Sequence, residues 1–194
     1  MPSKTINGKS LFYTIDENDD SPANTTTLFI HGLGSSSCFY KTITPSLKSR
    51  TRCICIDTPG SGLSELGKGE QSTSSIAKDA IALLDALEVQ EKVVVVGHSM
   101  GGIIANYIAA EHPDRVKGVV LIGPVNPVPA MADVFSKRIE VVKKGSYFHP
   151  ILDFNVGDRM INVLQMDWRP LQTPFPQVQQ GRKPTPSSML SSEV

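Results

Sequence analysis

The feature that most constrains this chain is a strand–turn–helix run near its middle. Val93-Val94-Val95-Val96 is a short continuous apolar segment, Gly97-His98-Ser99-Met100-Gly101 reverses the chain, and a helix from Gly101 to about Glu111 follows, halted by Pro113. A strand without polar alternation is the kind buried on both faces of a parallel sheet, and such a sheet needs crossover helices to bring the chain back. The turn matches G-x-S-x-G in the strand-to-helix setting that gives the motif its meaning. Its two glycines remove Cβ atoms from a tight reversal, which forces Ser99 into a strained position with its hydroxyl pointing out of the sheet. The following helix aims free N–H groups and a positive dipole end at charge developing beside that hydroxyl. A glycine-rich turn that only packs tightly, or that holds a phosphate, is the plainer reading of the same residues. The setting favours a nucleophile.

The rest of the first 122 residues repeats this alternation. Leu11–Ile15 reads as an alternating strand, Thr26–Ile30 as a β-rich run ending at His31-Gly32, and Arg52–Asp57 as a third strand closed by Pro59-Gly60. From Ser75 onward, Ile76, Ala80, Leu83, Leu84 and Leu87 recur at helical spacing, with Lys78, Asp79 and Asp85 off that stripe. Val116 to Ile122 makes a further apolar strand. Strands alternating with helices predict an α/β fold with a parallel sheet and helices on both faces, and ligands bind at the carboxyl ends of such strands.

Composition narrows the function. Lys+Arg and Asp+Glu both number 19, so the net charge is zero and no basic stripe offers phosphate neutralisation; nucleic acid is not an expected partner. The first nine residues are polar, and no apolar run approaches about 18 residues, so neither a signal peptide nor a membrane span is expected. Of three cysteines, Cys53 and Cys55 fall two apart in an apolar strand, which points both thiols to one face as core residues rather than as a metal or disulfide pair.

Two other segments fall at strand carboxyl ends. His31-Gly32-Leu33-Gly34 can bring the Leu33 N–H to converge with that of Met100 on one oxygen, forming an oxyanion hole. His31, Gly32 and His98 would line the bound substrate, and His31 itself suits bracing the loop by hydrogen bonds better than proton transfer. Asp57-Thr58-Pro59-Gly60-Ser61-Gly62-Leu63-Ser64 is turn-rich and suits a pocket wall.

The order H-G-L-G, D-T-P-G-S-G-L-S and G-H-S-M-G-G, followed by Glu111-His112-Pro113 and Leu121-Ile122-Gly123-Pro124, resembles the α/β-hydrolase superfamily, within it small serine esterases and lactonases similar to 3-oxoadipate enol-lactonase. The likeness spans roughly residues 1–145. It implies attack by Ser99 on a carbonyl, capture of the oxyanion by two backbone N–H groups, and hydrolysis of an acyl-enzyme. It implies no metal and no organic cofactor. A serine rather than an aspartate at the turn favours esters, lactones or thioesters; serine peroxidases and carbon–carbon bond hydrolases share the same elbow.

The resemblance also implies an acid and then a histidine after Ser99, on loops following a cap insertion. Ala130 to Lys144 reads as a helix and as the start of such a cap; from Ser146 on there is no further parallel-strand signal, and the terminal strands are expected to be missing. Only four histidines exist. His31 and His98 belong to the loop and the turn, and His112 lies at the far end of the helix, about 20 Å from Ser99. His149 is then the remaining candidate base, with Asp158 or Asp153 to orient it, against a merely structural role for a lone histidine.

The expected organisation is an α/β-hydrolase core over 1–128, a partial cap or divergent segment over 129–178, and a polar Pro/Ser/Gln-rich tail over 179–194 that reads as disordered. Without its terminal strands, the 116–122 strand becomes an apolar edge open to self-association. Two functions fit: a cytoplasmic hydrolase of a small carboxylic ester, lactone or thioester, or a catalytically impaired remnant that binds a small ligand or a protein partner. The terminal Ser-Glu-Val is not a peroxisomal signal, although a lost terminus could have carried one.

Overall fold

The chain opens on a hairpin that its sequence announces through a single dipeptide. Strands β1 (Ser3–Ile6) and β2 (Lys9–Asp16) pair antiparallel with Ile6 opposite Lys9, so Asn7-Gly8 is the whole connection. Both residues have positive φ, 48° and 77°, the pair of angles that a type I′ turn requires and that Asn-Gly adopts most cheaply. The strand reading of Leu11–Ile15 falls inside β2; β1 was not expected, because the polar opening masks a strand whose outer residues face water.

The computed structural model describes residues 2–18, 23–69, 71–125, 136–137 and 139–140. Strands β3 (Thr26–Ile30), β4 (Arg52–Ile56), β5 (Val93–His98) and β6 (Val116–Ile122) complete a six-stranded sheet of order β1-β2-β4-β3-β5-β6. Pairings β3–β4, β3–β5 and β5–β6 are parallel, and β2 joins β4 antiparallel. The fold is α/β, as the alternation predicts, with its parallel part confined to the last four strands.

Helices cover both faces. The short helix α1 (Thr44–Leu47) follows a 3-10 turn at Ser37–Tyr40, and α2 (Thr73–Ala86) and α3 (Met100–Glu111) are the longer crossovers. Alternate residues of the central strands divide between two cores. Leu28, Ile30, Ile54, Ile56, Val93 and Val95 pack with α2 and α3, whereas Phe29, Cys53, Cys55 and Val96 pack with Tyr40 and Leu47 on the opposite face. Each fully buried Leu or Ile contributes about 1.5–3 kcal/mol. Both thiols therefore do face one side, as the strand alternation requires.

Helix α2 starts two residues before the expected position. Ser72 caps it, accepting from Ser75 N–H at 3.0 Å while Ser75 Oγ accepts from Ser72 N–H at 2.8 Å. A larger correction concerns Asp79. Its place off the apolar stripe predicts a solvated carboxylate, yet it is 2% exposed and forms an ion pair with Lys9 of β2, itself 7% exposed. Asn7 adds a 2.9 Å hydrogen bond to the same carboxylate, so the hairpin supplies the partners that a helical-wheel reading cannot see.

Strand β6 is the last of the described sheet, and Val120, Leu121 and Ile122 at its carboxyl end are exposed. Within the helix expected over 130–144, Ser136, Lys137, Ile139 and Glu140 are described and are helical. The other residues of that segment, and the tail expected over 179–194, lie outside the described residues.

Candidate functional site

Ser99 sits where β5 passes into α3, with φ 52° and ψ −114°, a backbone conformation that costs a non-glycine residue about 1–3 kcal/mol. The neighbours hold it there. A Cβ on Gly97 would lie 2.2 Å from the Gly101 carbonyl oxygen, and one on Gly101 would lie 2.1 Å from that of Ile30, so both positions admit only hydrogen. Ser99 N–H donates to Ile122 O at 3.0 Å, tying the turn to the end of β6, and Gly102 N–H donates to Ser99 O at 3.0 Å to begin the helix. Ser99 occupies the N-cap of α3 without using its side chain as a cap. Ser99 is half-buried, and its hydroxyl makes no hydrogen bond among the described residues, an uncommon state for a serine at a helix start.

The loop after β3 lies directly against this turn. A Cβ on Gly32 would stand 3.1 Å from Ser99 Cβ and 2.8 Å from His98 Nδ1, so glycine is what permits the approach. Leu33 is half-buried with its side chain on the larger core, and Met100 is buried at the first position of α3. Neither the Leu33 nor the Met100 N–H donates to another group among the described residues.

His31 is fully buried. Its Nε2 accepts from Thr58 N–H at 3.0 Å, so the other nitrogen carries the proton and donates to Gly32 O at 2.7 Å. Burial lowers its pKa, against the smaller opposing pull of the Gly32 carbonyl and of Asp57. His98 is half-buried, stacks flat on Phe39 with ring centroids 4.4 Å apart, and leaves Nδ1 without a partner among the described residues.

Asp57 is the residue that the sequence reading undervalued. The D-T-P-G-S-G-L-S segment suits a pocket wall, but its first residue is buried and works as a tie between loops. One carboxylate oxygen accepts from Ser37 N–H at 2.6 Å and the other from Leu63 N–H at 2.9 Å. Gly62 makes room for it, since a Cβ there would lie 2.0 Å from Oδ2. Phe39 and Tyr40 were also missed, although two adjacent aromatics just after a glycine loop were a visible signal. Tyr40 is buried, donates to Ile30 O at 2.9 Å, and meets Phe39 edge-on at 5.0 Å.

His149, Asp153 and Asp158 lie outside the described residues, and among the described residues no histidine hydrogen-bonds Ser99. His112 stands at the opposite end of α3. Among the described residues no cluster of His, Cys, Asp or Glu is placed to hold a metal ion, and no helix is long and apolar enough to cross a membrane.

A mostly parallel sheet carrying a strained serine on the turn between a central strand and a helix defines a class of protein. Residues 26–155 match the family model described as alpha/beta hydrolase fold, and the chain belongs to that family. It is 34% identical over 119 residues to the cis-3-alkyl-4-alkyloxetan-2-one decarboxylase of Shewanella oneidensis, a match covering 60% of this chain and 36% of that protein. It is 37% identical over 108 residues to the 2-hydroxymuconate semialdehyde hydrolase of a Pseudomonas species, covering 54% and 38%. The enol-lactonase from Burkholderia xenovorans shares the fold at a TM-score of 0.62 and 22% identity, over 83% of this chain and 73% of that one. The matches thus span well under half the length of these two curated relatives. Their names cover a decarboxylase, a hydrolase and a lactonase, so kinship fixes the fold family and leaves the reaction to be argued from the site.

Proposed function

We propose that the chain hydrolyses a small carboxylic ester, lactone or thioester through an acyl-enzyme on Ser99. The observation that carries this reading is the state of Ser99 itself: a strained backbone, a half-exposed position and a hydroxyl with no hydrogen bond among the described residues. Strain at a turn persists only where the surroundings enforce it, and here two glycine contacts on backbone oxygens do so. Ser99 Oγ attacks the substrate carbonyl as its proton passes to a base; the carbonyl oxygen takes the charge, and the N–H groups of Leu33 and Met100 receive it. Their lack of any other acceptor among the described residues supports that role, and each such donor is worth about 2.7–4 kcal/mol in the transition state. Collapse expels the alcohol or thiol, and water then releases the acid. His149, oriented by Asp158 or Asp153, is the base in this scheme. His31, Gly32 and His98 border the bound acyl group.

Fluorophosphonate labelling tests the reading, because the reagent needs an activated serine. The expected result is stoichiometric labelling of the folded wild type, its loss in Ser99→Ala, and at least a hundredfold slower labelling in His149→Ala, within the range that general-base assistance supplies. A folded wild type that stays unlabelled rejects hydrolysis and favours a family member that binds a small ligand or a protein without chemistry. Labelling that survives His149→Ala moves the base to another residue.

A further inference from the structure

The serine turn and the glycine loop meet across one aromatic ring. The His98 imidazole lies flat on Phe39, with ring centroids 4.4 Å apart and planes 17° from parallel. The loop after β3 closes on the same imidazole: a Cβ on Gly32 would stand 2.8 Å from Nδ1 and 3.3 Å from Cε1, so the backbone of that residue already rests against the ring. Phe39 is itself held. It meets buried Tyr40 edge-on at 5.0 Å, and Tyr40 donates its hydroxyl to Ile30 O at 2.9 Å while its ring tilts against Phe29 at 4.9 Å. The stack therefore stands on β3, and the His98 ring joins the end of β5 to it. His98 Nδ1 is buried without a partner among the described residues. A nitrogen in that state contributes no hydrogen bond, so contact by the flat ring is what His98 supplies on this side.

Chain connectivity turns this contact into a spacing. Leu33 follows Gly32 directly, and Met100 lies two residues beyond His98 at the first position of α3. We propose that His98 is a positioning residue: its ring, backed by Phe39, pins Gly32 and so fixes the Leu33 N–H relative to the Met100 N–H. The inference deepens the acyl-transfer reading and rests on it for its catalytic consequence. An oxyanion hole stabilises charge only while its donors stay aimed at one point, since a donor that drifts from the oxygen gains little in the transition state. Gly101 fixes the loop at Ile30 and His31, but one residue further on the support changes. Gly32 O accepts from His31 Nδ1 and from Ser35 N–H, both within the loop itself. What faces Gly32 from the serine turn is the His98 ring and the Ser99 Cβ, 3.1 Å from the place a Gly32 Cβ would take.

Backbone 15N relaxation on the full-length protein reads the loop apart from turnover. The Gly32 and Leu33 amides are expected to be rigid in wild type, with order parameters of about 0.85, and to fall below about 0.6 in His98→Ala and in Phe39→Leu. Phe39→Tyr keeps the stack and should hold the wild-type values. Phe39→Leu carries the test should His98→Ala fail to fold. Turnover of p-nitrophenyl butyrate gives the catalytic half: kcat is expected to drop about tenfold or more in His98→Ala and in Phe39→Leu while KM stays within about threefold, the split that displaced transition-state donors produce. Combining the two substitutions should add little, because both break one stack. A loop that stays ordered in both variants overturns the proposal, and so does a rise in KM at unchanged kcat, which makes the ring a substrate contact alone. A rigid wild type that leaves the ester untouched removes the acyl-enzyme, and the order parameters of the variants still decide whether His98 pins the loop.

Discussion

Gly101 packs its α-carbon onto the carbonyl oxygen of Ile30, so closely that a Cβ at residue 101 would lie 2.1 Å from that oxygen and 2.8 Å from the His31 oxygen. This contact welds the start of α3 to the end of β3, and with them the serine turn to the glycine loop. In an unconstrained helix, Gly→Ala stabilises by about 1 kcal/mol. Here the new methyl meets the backbone of Ile30 and His31, and overpacking that the main chain must absorb costs about 1–3 kcal/mol or more. Gly101→Ala is therefore expected to lower stability in urea denaturation and to slow fluorophosphonate labelling of Ser99 at least tenfold. A stabilised Gly101→Ala would show that the turn yields, and that the strain at Ser99 is not enforced from this side.

The Lys9–Asp79 pair makes a second prediction because both charges are buried. Removing one partner strands the other, at about 3–5 kcal/mol, whereas replacing both by apolar residues of similar size is near neutral. Asp79→Ala is expected to cost that much in chemical denaturation, and Lys9→Met with Asp79→Leu to recover most of it. Equal losses in the single and double variants would mean that the hairpin–helix contact depends on Asn7 and Gln71, which also bond within this cluster, more than on charge.

How far the sequence reveals the protein depends on how local each determinant is. Strand β3 and the serine turn are legible because their causes lie within a few residues: a run of β-formers, then glycines around one serine. Asn7-Gly8 is just as local and announces β1, yet a polar opening reads as a start rather than a strand. Asp79 is misjudged for a different reason. Its burial is made tolerable by Lys9, 70 residues away, and nothing in the α2 pattern encodes that partner. Asp57 and Phe39 fall between these cases. The loops containing them are obvious, whereas a carboxylate bridging two backbone N–H groups, or an aromatic stacked on His98, exists only once the strands are side by side.

His31 gives a pH dependence whose sign follows from its environment. Burial lowers its pKa below the ordinary value of 6.5, so the unfolded chain takes up a proton on acidification before the folded one does. Stability tied to the neutral ring is fully present above pH 6.5 and is lost as pH falls from there toward the lower folded value. The slope within that window is at most about 1.4 kcal/mol per pH unit. Denaturation midpoints measured from pH 7.5 down to 5 should decline in wild type and decline less in His31→Gln. Parallel curves for the two proteins would assign the acid sensitivity to other groups.

The three thiols are expected to separate cleanly by reactivity. Cys38 is exposed, whereas Cys53 and Cys55 are buried in β4, where desolvation raises their pKa to about 11 and about 12, with Asp16 adding to the rise at both. Only a thiolate attacks iodoacetamide, so at pH 8 both buried sulfurs are protonated as well as covered. Native protein should therefore take up one equivalent quickly, at Cys38, and the other two only after denaturation. Peptide mapping with a Cys38→Ser control reads this directly. Rapid alkylation of Cys53 or Cys55 in native buffer would mean that β4 opens locally, and that the Phe29–Tyr40 packing over it is weaker than the 4.9 Å ring contact implies.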